Sequence, residues 1–323
     1  MADVTTELMK YIDAITLTAT HRKNLIQSRD ALRNRIREYF KDELNKVCPK
    51  FHQQGSFAMK TTIVPLSGEY DIDDGVYLQD LNKDVSKWPS TGNVHKWLVS
   101  AVTGHTDTPP IDKNTCVRVT YAKNWHVDLP VYGVDNGVYY LAHKEKDWIA
   151  SDSKKIVDWF HDAVVEKGEE FRSVVKIFKA WADFQENKSS CSKMPSGLIL
   201  TVLVYNNWQY ADRLDERMKK IANAMYYDIK NEVKVINPTD PTEVLSSRMS
   251  EAEKKNFQTK IESFSTALDK AFEESSKEEA SRFWQKHLGD RFPIAADADA
   301  QKKKDIAAIT RGFSGDTIKP WGM

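Results

Sequence analysis

A chain of 323 residues is long enough for one large domain or two lobes around a cleft, and its 41% hydrophobic content suffices for a sizeable core. Its 47 basic residues are balanced by 47 acidic ones, whereas a protein that coats long nucleic acid carries a basic excess. Zinc and a disulfide framework are not expected from Cys48, Cys116 and Cys191, which are widely spaced and form no Cys/His cluster. No apolar run approaches the ~20 residues of a membrane span, and the N-terminus has no signal-peptide pattern, so a cytoplasmic protein with no membrane partner is expected.

In chain order, residues 4–46 predict one or two helices, with Leu8, Tyr11, Ile12 and Ile15 on one face, then Leu25, Leu32 and Ile36. Residues 49–66 turn to glycine, glutamine and β-branched types and predict a strand and a turn. Tyr70–Leu78 alternates as a strand: Ile72, Val76 and Leu78 fall on one face, Asp71 and Asp73 on the other. A helix is expected at Asn93–Val102. Cys116–Tyr121 and Trp125–Tyr132 predict a hairpin with Asp128 opposite the apolar face, and 137–142 a further strand. From Ser151 onward the pattern is helical, broken by a loop at Pro238–Pro241. Strands in one half and helices in the other imply an α+β protein with two lobes.

Three aspartates carry the chemistry. Two at i and i+2 on a strand project from one face about 6.5–7 Å apart, and a third from a neighbouring strand completes a set able to share two Mg²⁺ ions, with Mn²⁺ as an alternative. Asp71, Asp73 and Asp128 meet that description. An isolated Asp-x-Asp more often caps a turn, but charge on a strand with apolar neighbours is costly without a partner. Upstream, Gly55-Ser56 could open a helix and offer backbone N–H groups and a hydroxyl to phosphate. Asp74 reads as structural.

The block QGSFAMKTTIVPLSGEYDIDDGVYL closely resembles the Gly-Ser, spacer, Asp-x-Asp signature of nucleotidyltransferases. In particular it looks like the bacterial relatives of cyclic GMP-AMP synthase and oligoadenylate synthase that act in anti-phage signalling, and WHVDLPVYGV resembles their third acid. FRSVVKIFKAWADF resembles the helix whose lysine contacts the donor triphosphate, a place taken by Lys179 with Lys176 one turn earlier. KMPSGLIL resembles the motif whose serine touches the terminal phosphates, a place taken by Ser196. From the residues alone, the two lysines could line a solvated face and Ser196 could be a helix N-cap.

The resemblance implies a two-lobed, polymerase-β-like fold: a transferase core with its N-terminal helix over 1–150, a helical lobe over 151–307 and a flexible tail over 308–323. It implies synthesis of a cyclic di- or trinucleotide messenger from ATP, GTP or both. A linear oligonucleotide synthase, an enzyme acting on RNA ends and a non-catalytic sensor are the alternatives. It also suggests a partner protein that modifies the C-terminal tail.

Overall fold

The computed structural model describes residues 1–122, 124–188 and 193–296. Cys191 and the 308–323 tail, with its suggested partner-protein role, lie outside them. In chain order the elements are α1 (Thr5–Ile15), α2 (Ala19–Glu38), β1 (Lys50–Gln54), α3 (Gly55–Ala58), β2 (Tyr70–Tyr77), α4 (Thr91–Val102), β3 (Ile111–Asp112), β4 (Val117–Tyr121), β5 (Trp125–Leu129), β6 (Val131–Asp135), β7 (Val138–His143) and β8 (Asp147–Ala150). Then follow α5 (Ser153–Lys167), α6 (Glu170–Lys188), α7 (Gly197–Asn206), α8 (Leu214–Ile229), β9 (Ile236–Asn237), β10 (Asp240–Val244), α9 (Glu251–Glu273) and α10 (Lys277–Leu288).

The strands from β1 to β8 form one mixed, eight-stranded sheet. β2 pairs antiparallel with β1 and parallel with β5 and β6. Asp73 lies opposite Asp128 and Val76 opposite Val131, so the parallel register continues unchanged across Pro130. The run Trp125–Tyr132, expected as a single strand, is therefore two: Pro130 has no N–H to give to the ladder, although its carbonyl still accepts from Val76.

Alternation assigns the two faces. Ile72, Val76, Val117, Val119, Val127, Leu129 and Val131 are buried in one core with Leu25, Leu32 and Ile36 of α2 and Val94 and Leu98 of α4. Asp74 shares that face and would be a stranded charge, but Arg33 of α2 pairs with both of its oxygens. The odd-numbered residues of β2 turn the other way, towards the helical half.

That half has its own core, in which Trp181 of α6 stacks on Phe264 of α9 with ring centroids 5.4 Å apart. Helix α1 contributes Leu8, Tyr11, Ile12 and Ile15 to this core rather than to the sheet's, and Tyr11 donates to the Leu288 carbonyl. Two strand features lie outside the expected elements. β9 and β10 form a small hairpin, whose turn is closed by Asn237 Oδ1 accepting from the Thr239 N–H at 2.9 Å. β8 extends the sheet beyond β7. These strands are short, so period-2 patterning has little length in which to show. No helix among the described residues is long and apolar enough to cross a membrane.

Candidate active site

The site begins with the parallel pairing of β2 and β5. Asp71 sits beside His126 and Asp73 beside Asp128, so four polar side chains form a square on the sheet face opposite the α2 core. Ligand atoms of Asp71, His126 and Asp128 all lie within 4.8 Å of one another. Asp128 is buried, and its carboxylate is gripped by Arg118, its cross-strand partner on β4, through two bonds of 2.7 Å. Asp73 faces the strand-to-helix turn at Gly55. That residue has φ +61°, and a β-carbon there would collide with the Asp73 carboxylate, so only glycine fits.

The electrostatics of the square are uneven. Burial, reinforced by the charges of Asp71 and Asp128, pushes the Asp73 carboxyl up to about 8. Burial acts the same way on Asp71, but His126, 3.7 Å away, together with the charges of Lys179 and Arg118 outweighs it and holds that carboxyl below the usual range. Clustered carboxylates of this kind fit divalent cations, which supply the charge that the protein leaves unbalanced. His126 Nε2 is buried beside them without a hydrogen-bond partner.

A cation from the helical half faces the square. The Lys179 ammonium donates to the Thr61 carbonyl at 3.0 Å. Burial pulls it down to about 8, against the attraction of Asp71 and Asp73. Its position depends on the 59–66 segment, which is fastened to the helical half. Arg172 donates to the Met59 carbonyl, Arg291 to the Val64 carbonyl, and Asp183 accepts from the Leu66 N–H at 2.7 Å. Gly197 at the start of α7 leaves room for the lysine, since a β-carbon there would meet Lys179 Cε at 2.9 Å. Beyond Lys179 opens a cavity of about 400 Å³, lined also by Ser67, Asp183, Glu186, Met194 and Gly197.

The other sequence-derived residues are placed as follows. Ser56 Oγ lies 2.9 Å from Thr62 Oγ1, next to the Gly55 turn. Ser196 is the N-cap of α7, its Oγ accepting from Ile199, and it adjoins the Gly197 that packs on Lys179. Lys176 points elsewhere, to Thr16 Oγ1 at 3.3 Å. Sequence reasoning passed over Arg118 and His126. Both were findable, since His126 shares strand parity with Asp128 and Arg118 stands in the other arm of the same hairpin.

Comparisons with known proteins identify the family. The model for the nucleotidyltransferase domain of "Cyclic GMP-AMP synthase DncV-like" proteins matches residues 49–132, and that for the "Cyclic GMP-AMP synthase, C-terminal domain" matches 168–299. A Vibrio cholerae cyclic GMP-AMP synthase is 26% identical, over 78% of this chain and 69% of its own length. An Acinetobacter cyclic AMP-AMP-AMP synthase is 24% identical, over 85% and 82% respectively. The crystal structure of Vibrio cholerae DncV in its 3′-deoxy ATP bound form superposes with a TM-score of 0.75, at 23% identity, covering 87% of this chain and 92% of that one. The two models of one family together take in about two thirds of the sequence, including the strands that carry the acids and the helix that carries Lys179, and the chain belongs to the DncV-like nucleotidyltransferases.

Proposed function

We propose that this nucleotidyltransferase joins nucleoside triphosphates, ATP and GTP among them, into a cyclic di- or trinucleotide. The observation that carries the reading is the square of Asp71, Asp73, His126 and Asp128 on one sheet face with Lys179 opposite it. Phosphoryl transfer needs in-line positioning and charge neutralisation, and this arrangement can provide both. When bound, two Mg²⁺ ions would activate the attacking ribose hydroxyl and neutralise the triphosphate. Asp71 and Asp73 would hold both ions, and Asp128 the ion on the acceptor side.

The chain's own groups do the rest. Lys179, with the Gly55 backbone and Ser56, binds the donor triphosphate, and Ser196 assists from the α7 cap; Lys176, turned to Thr16, takes little part. Arg118 fixes the plane of the Asp128 carboxylate through its paired bonds. The ribose hydroxyl of the second nucleotide attacks the donor α-phosphorus, a new phosphodiester forms, and the bond to pyrophosphate breaks. A second transfer within the linear product closes the ring. Ring closure is supported by the relatives, which are named for cyclic products of different size. In this reading 1–150 and 151–307 form the two sides of the cleft, the reaction runs in the cytoplasm, and the product is a second messenger in anti-phage defence.

The test is incubation with the four radiolabelled nucleotides and Mg²⁺, followed by nuclease and phosphatase treatment. A resistant product with release of pyrophosphate is expected, and none from the Asp71→Asn/Asp73→Asn variant. A product whose label phosphatase removes would replace the cyclic reading with a linear one. No pyrophosphate release from any mixture would reject catalysis.

A further inference from the structure

We propose that His126 is itself a metal ligand, through Nε2, and that it gives this site a preference for Mn²⁺ over Mg²⁺. The inference rests on the metal-site reading above and goes beyond its three carboxylates. His126 is 5% exposed. Its Nδ1 lies 3.1 Å from Glu69 Oε1, and because an ionised carboxylate only accepts, Nδ1 is the nitrogen that donates to it. Nε2 is then the nitrogen open to a metal ion, which displaces any proton it carries. That atom is buried, has no hydrogen-bond partner, and lies 3.7 Å from Asp71 Oδ2.

A buried, unpartnered imidazole nitrogen grouped with two carboxylates is a donor set for a metal ion, and a carboxylate behind the imidazole orients it as in other histidine-ligated sites. The spacing fits. Around an ion with bonds of about 2.1–2.2 Å, one pair of three donors can be trans at roughly 4.2–4.4 Å and the others are cis at about 3 Å, so donor atoms within 4.8 Å of one another reach such a set by side-chain rotation with the strands in place. Backbone register keeps the set together, because Asp71 and His126 are direct partners in the β2–β5 pairing and Asp128 is two residues further on the same face. The choice of ion follows from hardness. Mg²⁺ takes oxygen ligands and sheds water reluctantly, whereas first-row transition ions accept imidazole. A nitrogen in the set therefore strengthens Mn²⁺ more than Mg²⁺.

The test uses the metal-stripped full chain and Mn²⁺ alone. Pulsed electron paramagnetic resonance of the bound ion is expected to show directly coordinated ¹⁴N, replaced by the ¹⁵N pattern in protein grown on ¹⁵N-histidine. This measurement needs no variant. His126→Gln should abolish the nitrogen signal and weaken Mn²⁺ on the order of tenfold, with much less change for Mg²⁺ in competition. Glu69→Gln should keep the nitrogen signal but weaken Mn²⁺. If Mn²⁺ binds, is lost in Asp71→Asn and shows no nitrogen coupling in the wild type, the His126 inference fails while the metal site stands. A nitrogen signal that persists in His126→Gln also overturns it. If Mn²⁺ does not bind, or binds equally to Asp71→Asn, the metal-site reading fails and takes the inference with it.

Discussion

Replacing Asp73 with Asn should make the metal-free protein more stable, and increasingly so as pH rises. The folded chain raises this carboxyl from 3.8 to about 8 through burial and the charges of Asp71 and Asp128. Between those values the folded state keeps a proton that the unfolded state releases. The contribution of Asp73 to stability is therefore greatest below pH 3.8, falls as pH climbs to about 8 and is flat above it. Each unit is worth about 1.4 kcal/mol, which sets a ceiling of roughly 6 kcal/mol. Three carboxylates share the available protons with Arg118 and Lys179 close by, so we expect a gain of about 1–3 kcal/mol at pH 8.5, shrinking towards zero at pH 4. Urea unfolding with a chelator at both pH values measures it. Adding Mg²⁺ should reverse the order, because only the wild type gains a tightly bound ligand. A variant that is less stable than the wild type at both pH values, or equally stable at both, would show that Asp73 is not held under electrostatic strain.

Lys179→Ala should raise the nucleotide Kd by about ten- to a hundredfold, the scale of one charged hydrogen bond, while Lys176→Ala, directed at Thr16, should change it little. Equal effects by calorimetry would remove Lys179 from the triphosphate site. Gly197→Ala should weaken nucleotide binding by displacing Lys179 Cε while leaving the melting temperature unchanged or higher, since alanine is the better helix former; unaltered affinity would refute the packing argument. Arg33→Ala should cost about 3–5 kcal/mol by stranding buried Asp74, and Arg33→Met with Asp74→Asn should recover most of that in denaturant titrations.

The layout of the fold was legible wherever periodicity was long. Helices α5 to α10 fill the stretch after Ser151 that apolar spacing marks as helical, and Ser196 is the N-cap of α7. Strand parity alone put Asp71, Asp73 and Asp128 on the polar face. Elements too short to show a period were lost, namely β3, β8 and the β9–β10 hairpin. Helix α1 was legible as a helix, but nothing in its own residues shows which core receives its apolar face; that depends on α6 and α8, far along the chain.

Within the site, the legible part was the set of groups that act through charge, and the hidden part was the set of groups that position them. Arg118, His126 and Glu69 gain their meaning from register. Once Asp73 is paired with Asp128, the same parallel step sets Asp71 beside His126, and the antiparallel step sets Arg118 beside Asp128. Parity could have nominated all three, but a lone histidine or arginine on a strand usually serves only as surface or core. The register turns those ordinary residues into partners of the acids. Each acid then sits in a different field: Asp128 is paired with a guanidinium, Asp71 lies beside an imidazole, and for Asp73 burial and the two neighbouring carboxylates outweigh the charges of Arg118 and Lys179. Asp71 and Asp73, chemically identical, thus differ in their readiness to release a proton when a cation arrives. Asp73, pushed up to about 8, is the acid whose ionisation depends most on the ion's arrival, so metal binding near neutral pH should release a proton, measurable as a buffer-dependent binding enthalpy. An enthalpy independent of the buffer would mean that Asp73 is already ionised in the folded chain.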